Sequence, residues 1–446
     1  MTWLPSVRVG LVDAILFAVV ITVALAILFD FTNGFHDAAN ATSTVIATRS
    51  LTPKQAVWMS AVFNFLPAFI VGTAVANTIS KTVDISALPG VAAGDVPLGV
   101  RMTLAALLGA VLWNYLTWHL GLPSSSSHAL IGGLIGAGIS AGGLSVISWE
   151  SVRLTVIAIF ASPLIAFAVA IVIVQIVRGV QRLFSVHEDS EFFRWAQVGT
   201  SAWVSWGHGS NDAQKTMGII AATLFAGGFM VDTDASSLEP PIWVIFLAHA
   251  AIAAGTVWGG WKIIETMGLK ITRITRASGF AANIGAITSI EGATNLGVPI
   301  STTQAVSSSI VGSGVGERRK VNWFVMRDMV IAWFLTLPAA GVVGFVVFKL
   351  TILPGIWAVV ATGLAIVALL VWAGRLMLHA TTAEDIEKEL PTAEELKGPS
   401  YGFQVQQVSE AELAAGFPEA RKPSSGVAEA TPPVGRASGA DFDDPD

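Results

Sequence analysis

Two stretches of this chain set acids, amides and imidazoles inside runs that are otherwise apolar. Residues 33–40 read Asn33, Gly34, Phe35, His36, Asp37, Ala38, Ala39 and Asn40; residues 208–215 read His208, Gly209, Ser210, Asn211, Asp212, Ala213, Gln214 and Lys215. Gly34, Asp37 and Ala38 recur as Gly209, Asp212 and Ala213 after 175 residues. Behind each comes a stretch of breakers and hydroxyls. In the first half it is Gly121, Leu122, Pro123, Ser124, Ser125, Ser126, Ser127 and His128; in the second, Gly297, Val298, Pro299, Ile300, Ser301, Thr302, Thr303 and Gln304. Asp37 precedes Pro123 by 86 residues and Asp212 precedes Pro299 by 87. Two composite motifs in one order at nearly one spacing read as a duplicated unit.

In an apolar medium these residues compose an ion site. Membrane helices are open to interruption at Gly34, Gly209, Pro123 and Pro299, which predicts fresh half-helices starting near residues 38, 124, 213 and 300. Non-helical backbone at that depth is tolerated where it lines a polar cavity, and the free amides and positive dipole end of a new helix suit an anion. Ser124, Ser125, Ser126, Ser127, Ser301, Thr302 and Thr303 add neutral donors, the shell a tetrahedral oxyanion requires. Asp37 and Asp212 are then anomalous. A lone carboxylate near the bilayer centre costs about 2.5–3.5 kcal/mol, so each must be protonated, paired or bound to a cation. A dianion entering a negative-inside cell works against about 2.3 kcal/mol per charge per 100 mV. Cations must travel with it, and the two aspartates are natural carriers of protons or of a metal ion. His36 shares the proton task, since imidazole titrates near neutrality; Lys215 either counters Asp212 or attracts the anion. Glu291 fits a coupling group and an outer-loop residue equally, and His249 is given no role.

These elements are positioned by a membrane protein. Hydrophobic residues make up 53 % and charged residues 13 % of the chain, and mean hydropathy is +0.67, whereas soluble domains carry about a quarter charged residues. Several apolar runs exceed the roughly 18–20 residues that span a hydrocarbon core. Fifteen Trp stand against two Tyr, and Trp58, Trp149, Trp195, Trp243, Trp323 and Trp357 near run ends fit an interfacial belt. The absence of Cys excludes disulfides and thiolate metal sites. The first apolar run flows into the first motif, which argues against a cleaved leader. A hydrolase using the two aspartates as a metal or acid–base pair and a passive channel are the rivals from other classes. The chain is read as a carrier and not an enzyme, with no cofactor and no nucleic-acid partner.

The predicted organisation is all-helical: a first membrane repeat at 1–178, a cytoplasmic connection at 179–194, a second repeat at 195–350, an extra span at 351–378 and a tail at 379–446. Each repeat has about five spans, ten to twelve in all. An odd number per repeat makes the copies upside down relative to each other, as in many secondary transporters. Basic clusters at Arg49 and Lys54, at Arg178, Arg182 and Arg194, at Lys262 to Arg276 and at Arg318 to Arg327 alternate with poorly charged loops. The positive-inside rule puts them in the cytoplasm, the N-terminus outside and the tail inside. The tail holds 5 Lys and Arg against 14 Asp and Glu. It lacks the apolar residues that offset ordering entropy and is expected to be disordered, save a short helix near 383–396. The Gly-rich run 132–143 reads as close helix packing. A homodimer is compatible with the sequence, which does not fix the assembly state.

The motifs resemble those of the inorganic phosphate transporter family, whose halves each carry a Gly-Ala-Asn-Asp-Val-Ala-Asn-Ala-like signature and a later Pro-Ile/Val-Ser-Thr-Thr-His-like one. The resemblance covers about residues 25–350. The wording at 33–41, 121–128 and 211–215 is similar to the bacterial low-affinity branch. It implies uptake of inorganic phosphate by symport with protons, as the ion or as a complex with a divalent metal. It also implies that Asp37, Asn40, Asn211 and Asp212, with Ser125, Ser126, Ser301 and Thr302, surround phosphate and its coupling cations. The chain departs from the family wording at His36, usually Asn, and at Gln214 and Lys215, usually Ala and Asn. Asn64 and Asn283 stand where sodium-coupled members tend to carry Glu. These departures favour proton or metal coupling over a sodium-coupled phosphate symporter; a sulfate permease of the same superfamily is the other alternative.

Overall fold

The computed structural model describes residues 4–70, 72–90, 95–230 and 238–390. The acidic tail beyond residue 390 and residues 231–237 of the acidic loop at 227–241 lie outside the described residues. The first half of the chain forms α1 (Leu4–Ala47), α2 (Pro53–Phe65), α3 (Ala74–Ser80), α4 (Leu98–Leu120), α5 (Ser126–Gly142) and α6 (Trp149–Phe184). The second forms α7 (Glu191–Ala226), α8 (Ile242–Trp258), α9 (Trp261–Glu265), α10 (Arg276–Asn295), α11 (Thr302–Gly316) and α12 (Trp323–Thr351). Two further helices follow, α13 (Ile356–Leu378) and the short α14 (Ala383–Glu389).

The order of devices is the same in both halves. A long helix leads into a bent pair, α2 with α3 and α8 with α9, the latter bent by 70°. A straight helix then ends on a left-handed glycine, Gly121 or Gly297, both at φ 67°; a side chain there would be strained. Ser125 and Ser301 next cap α5 and α11, their hydroxyls accepting from the amides of His128 and Gln304 at 3.2 Å each. Asn and Ser favour this position because the side chain replaces a missing backbone acceptor; Ser148 and Asn322 cap α6 and α12 in the same way. Both of those last helices carry an internal proline, Pro163 and Pro338. The half-helices predicted near 124 and 300 therefore exist, starting at Ser126 and Thr302.

Those predicted near 38 and 213 do not. α1 and α7 run unbroken through both acid motifs. Breaking a helix in lipid strands several backbone groups, while a helical glycine costs only about 1 kcal/mol. The glycines instead permit contact. A Cβ on Gly34 would strike the Ile252 carbonyl of α8, and one on Gly209 the Asn64 carbonyl of α2.

The halves interlock. α12 packs on α4 and α5, and α6 packs on α10 and α11, so each half receives its outer helix from the other. Small residues allow the approach: Gly132 and Gly136 of α5 lie against the carbonyls of Leu337 and Gly341, while Gly312 of α11 lies against that of Phe167. Close packing is the role expected for the Gly-rich run. Five helices of the described residues (α1, α4, α6, α12 and α13) are long and apolar enough to cross a membrane, seven if each bent pair is one span. α5, α10 and α11 fall outside that criterion because they are sheathed by protein, which lets them be short and rich in Gly, Ser and Thr. The six tryptophans expected in a belt are all exposed.

α6 and α7 extend into the predicted connection, leaving only residues 185–190 between them. Here Arg319 pairs with Glu188 at 2.9 Å and Arg276 with Glu191 at 3.0 Å. Arg194 donates to the Ser50 carbonyl and Arg49 to that of Leu390. The basic clusters and α14 thus gather at one end of the bundle.

Candidate functional site

α1 and α7 cross antiparallel through the middle of the protein. Thr48 bonds Gln197 at 2.9 Å, Ser201 bonds the Ala41 carbonyl, Asn33 bonds Asp212 at 3.2 Å and Thr216 bonds Asp30. Helical spacing of three and four puts Asn33, His36, Asp37 and Asn40 on one face of α1, and His208, Asn211, Asp212 and Lys215 on one face of α7. All eight are buried.

Asp37 sits between the starts of α5 and α11. Its Oδ2 accepts from Ser126 and its Oδ1 from Thr303, both at 3.1 Å, and His36 Nδ1 lies 2.8 Å from Oδ1. Ser127 donates to the Ile300 carbonyl at 2.7 Å, tying the two helix starts together. Asn40 bonds Thr302 and Thr303 at 3.1 and 3.2 Å. On the other side, Lys215 Nζ holds Asp212 Oδ1 at 2.7 Å, the Ile300 carbonyl at 3.1 Å and the Ser127 hydroxyl. His208 Nε2 stands 3.8 Å from Asp37 Oδ2 and 3.6 Å from Asp212 Oδ2, with no hydrogen-bond partner of its own.

Most of the expected residues therefore meet. Asp37, Asn40, Ser126, Ser127, Asp212, Lys215, Thr302 and Thr303 form one cluster with His36 behind Asp37. Three of the expected donors also have local partners. The hydroxyls of Ser125 and Ser301 are turned onto their own helices as caps, and Ser124 lies behind the cluster against Thr117 and His36, at 2.7 and 3.3 Å. Asn211 is spent on architecture: it bonds Thr294 at 2.9 Å and accepts from the Ile300 amide at 3.4 Å, fixing the loop before α11. In the first half His36 makes a comparable contact, to Thr117 at 3.2 Å, so the departure from the family wording puts an imidazole where the second copy has the amide of Asn211. Glu291 lies beside Gly207, outside the hydrogen-bonded cluster. His249 bonds the Ile245 carbonyl of its own helix.

One member of the cluster, His208, and one acid outside it, Asp30, were not among the residues expected from sequence. His208 precedes Asp212 by one turn and matches Asn33 of the first copy, so the pairs Asn33/His36 and His208/Asn211 exchange imidazole and amide. Asp30 precedes Asp37 by two turns on the same face. Periodicity of 3.5 around the motif was the signal in both cases. Asn64 touches His208, Oδ1 to Nδ1 at 3.1 Å, and donates to Thr256 at 2.8 Å. Asn283 lies a shell further out among Thr44, Gln197 and Thr200.

Chemically the cluster has two capacities. Asp37, His208 and Asp212 offer ligand atoms within 4.8 Å of one another, a carboxylate–imidazole set that divalent metals accept. The starts of α5 and α11 present amides that have no partner inside their own helices, beside hydroxyls and an ammonium. Paired acids, donor-rich helix starts and complete burial in a bundle of membrane-length helices define a multi-pass carrier of polar ions. Residues 33–344 match the phosphate transporter family, and the chain belongs to it; this is a family of transporters, not enzymes.

Similar proteins agree. A Rhizobium meliloti protein described as "Probable low-affinity inorganic phosphate transporter" is 44 % identical over 326 residues, covering 72 % of this chain and 92 % of that one. Proteins of the same description from Bacillus subtilis and Mycobacterium tuberculosis are 39 % identical (75 % and 98 % covered) and 44 % identical (74 % and 76 % covered). A solved structure titled "The sodium-dependent phosphate transporter" superposes with a TM-score of 0.65 at 24 % identity, over 76 % of this chain and all of that one. At that identity the likeness speaks for the fold alone.

Proposed function

We propose that the protein imports inorganic phosphate by symport with protons, taking the ion free or as a divalent-metal complex, through alternating access of two inverted repeats. The observation that carries this reading is the seat of Asp37. Its carboxylate accepts the Ser126 and Thr303 hydroxyls at the meeting point of two helix starts, where a phosphate would find its donors. While Asp37 is ionised, an incoming anion competes with it for those hydroxyls and is repelled by its charge. Once Asp37 is protonated, both obstacles go. Anion and proton then bind as a pair, which is the linkage a symporter needs. Lys215 compensates Asp212 and lends positive charge near Ser127 and Ile300. A divalent ion travelling with phosphate would be held by Asp37, His208 and Asp212.

The antiparallel crossing of α1 and α7 supports the inverted arrangement, since the first helices of the two copies point opposite ways. The basic end supports a cytoplasmic location for residues 185–190 and for α14, with the N-terminus outside. Burial of all eight motif residues corresponds to a state closed to both sides.

Phosphate uptake into proteoliposomes under separately imposed proton, sodium and magnesium gradients tests the reading. Accumulation is expected with an inward proton gradient, and magnesium raises it if the complex is carried. Accumulation driven only by sodium would overturn the coupling. Equal competition by sulfate at all pH values would overturn the substrate, because sulfate stays divalent where phosphate titrates.

A further inference from the structure

Asp30 has no part in the site as described, yet it is an acid with no exposure to solvent. Its Oδ1 accepts the Thr216 hydroxyl of α7, and its Oδ2 has no hydrogen-bond partner. One turn along the same face of α1, Asn33 Oδ1 is also buried and without a partner, while Asn33 Nδ2 donates to Asp212 Oδ2. Side chains three apart on a helix are neighbours. The two orphans are both acceptors, and a buried acceptor left without a donor is destabilising. A proton on Asp30 Oδ2 would give the acid an O–H to donate, and Asn33 Oδ1, one turn along the same face, is an acceptor that lacks a donor.

Among the described residues no cation bonds either of these two atoms. The charged groups acting on Asp30 are Asp212 and Lys215 of α7. An ammonium has three hydrogens, and those of Lys215 face Asp212, Ile300 and Ser127. Of the other helices packed on this part of α1, α8 carries His249, whose Nδ1 bonds the Ile245 carbonyl of its own helix and whose buried Nε2 has no hydrogen-bond partner, Asp30 and Asn33 included, and α4 carries Tyr115, bonded to the Met377 sulfur. On α1 itself, His36 and Asp37 are bonded to each other.

We propose that Asp30 is a second proton-carrying site of the transport cycle, separate from the substrate cluster and linked to it through Asn33 and Asp212. This rests on the proton-symport reading. The proton adds to Oδ2 from the water of one side and leaves to water on the other, with no other bond made or broken. When it is absent, Asn33 loses its donor and is free to reorient, and with it goes the bond that fixes Asp212 Oδ2.

The test uses full-length protein in proteoliposomes with two readouts: exchange of internal labelled for external unlabelled phosphate at equal pH, and accumulation under an inward proton gradient. Asp30→Asn is expected to exchange within about threefold of the wild-type rate but to lose gradient-driven accumulation, and Asp30→Glu to regain it. Wild-type accumulation by Asp30→Asn overturns the proposal. Loss of exchange together with accumulation in Asp30→Asn overturns it too, because the acid would then serve the substrate cluster or the fold. Failure of Asp30→Glu to accumulate while exchanging normally has the same force. If the wild type does not accumulate under the proton gradient, it is the symport reading that fails.

Discussion

Asp37→Asn should tighten phosphate binding at alkaline pH, the opposite of what loss of a binding residue does. Ser126 and Thr303 each donate to the Asp37 carboxylate at 3.1 Å, and hydrogen bonds to a charged group contribute about 1.5–3 kcal/mol apiece. Together that is about 3–6 kcal/mol that phosphate must displace to take the same donors. With Asn at the position the bonds are neutral and contribute about 0.5–1.5 kcal/mol each, or about 1–3 in total. The difference of about 2–3 kcal/mol corresponds to affinity about 30- to 150-fold tighter where Asp37 is ionised. The sign with pH follows. Protonating Asp37 in the wild type removes the competition, so the ratio of variant to wild-type affinity should be near one in acid and grow as pH rises. Calorimetric titration of detergent-purified protein at about pH 8, and at a pH below about 4 where a carboxyl is protonated, reads it, and comparing the two proteins at each pH cancels the titration of phosphate itself. A variant that binds more weakly than wild type at the higher pH would refute the competition and leave Asp37 as an ordinary ligand.

Further outcomes follow from individual contacts. Lys215→Met leaves Asp212 buried without its ammonium, which should cost about 3–5 kcal/mol; adding Asp212→Asn should restore most of the thermal stability in detergent, and equal melting of single and double variants would contradict the pairing. Gly34→Ala and Gly209→Ala should each lower melting through collision with a backbone carbonyl, by about 1–3 kcal/mol, while Gly363→Ala, where the new methyl meets nothing within 4 Å, should be neutral or stabilising. Removing residues 391–446 should leave uptake within about twofold, but cutting from Ala383 also removes the buried Ile386 and the Leu390 carbonyl held by Arg49. A lower melting temperature is expected for the longer deletion alone.

The duplicated motifs made much of this legible in the chain. Pro123 and Pro299 told where α5 and α11 begin, because a proline cannot sit inside a helix without losing a bond and hydroxyl residues that cap helices follow it. Gly34 and Gly209 misled, since glycine signals a break and a close crossing alike; only the neighbour's backbone, invisible in sequence, decides between them. The same holds for hydroxyls. Ser125 and Ser126 are adjacent and chemically identical, yet one closes its own helix and the other faces Asp37, a choice made by backbone geometry at a single residue. Asp30 and His208 were reachable by extending the helical period one or two turns from each acid. The exchange of α6 and α12 between halves leaves no local mark in the chain at all.

That exchange bears on origins. A lone unit of this kind would have its last helix reaching into lipid with nothing beneath it, and its α4 and α5 would face the hydrocarbon uncovered. On the proposed inverted-repeat reading, a single copy would need a second chain inserted in the opposite sense and clasping it, each lending its partner an outer wall. Held in one polypeptide, the twin acids keep unlike neighbours: the imidazole at 36 and the ammonium at 215 are matched by amides, Asn211 and Asn40, at the corresponding positions of the other copy.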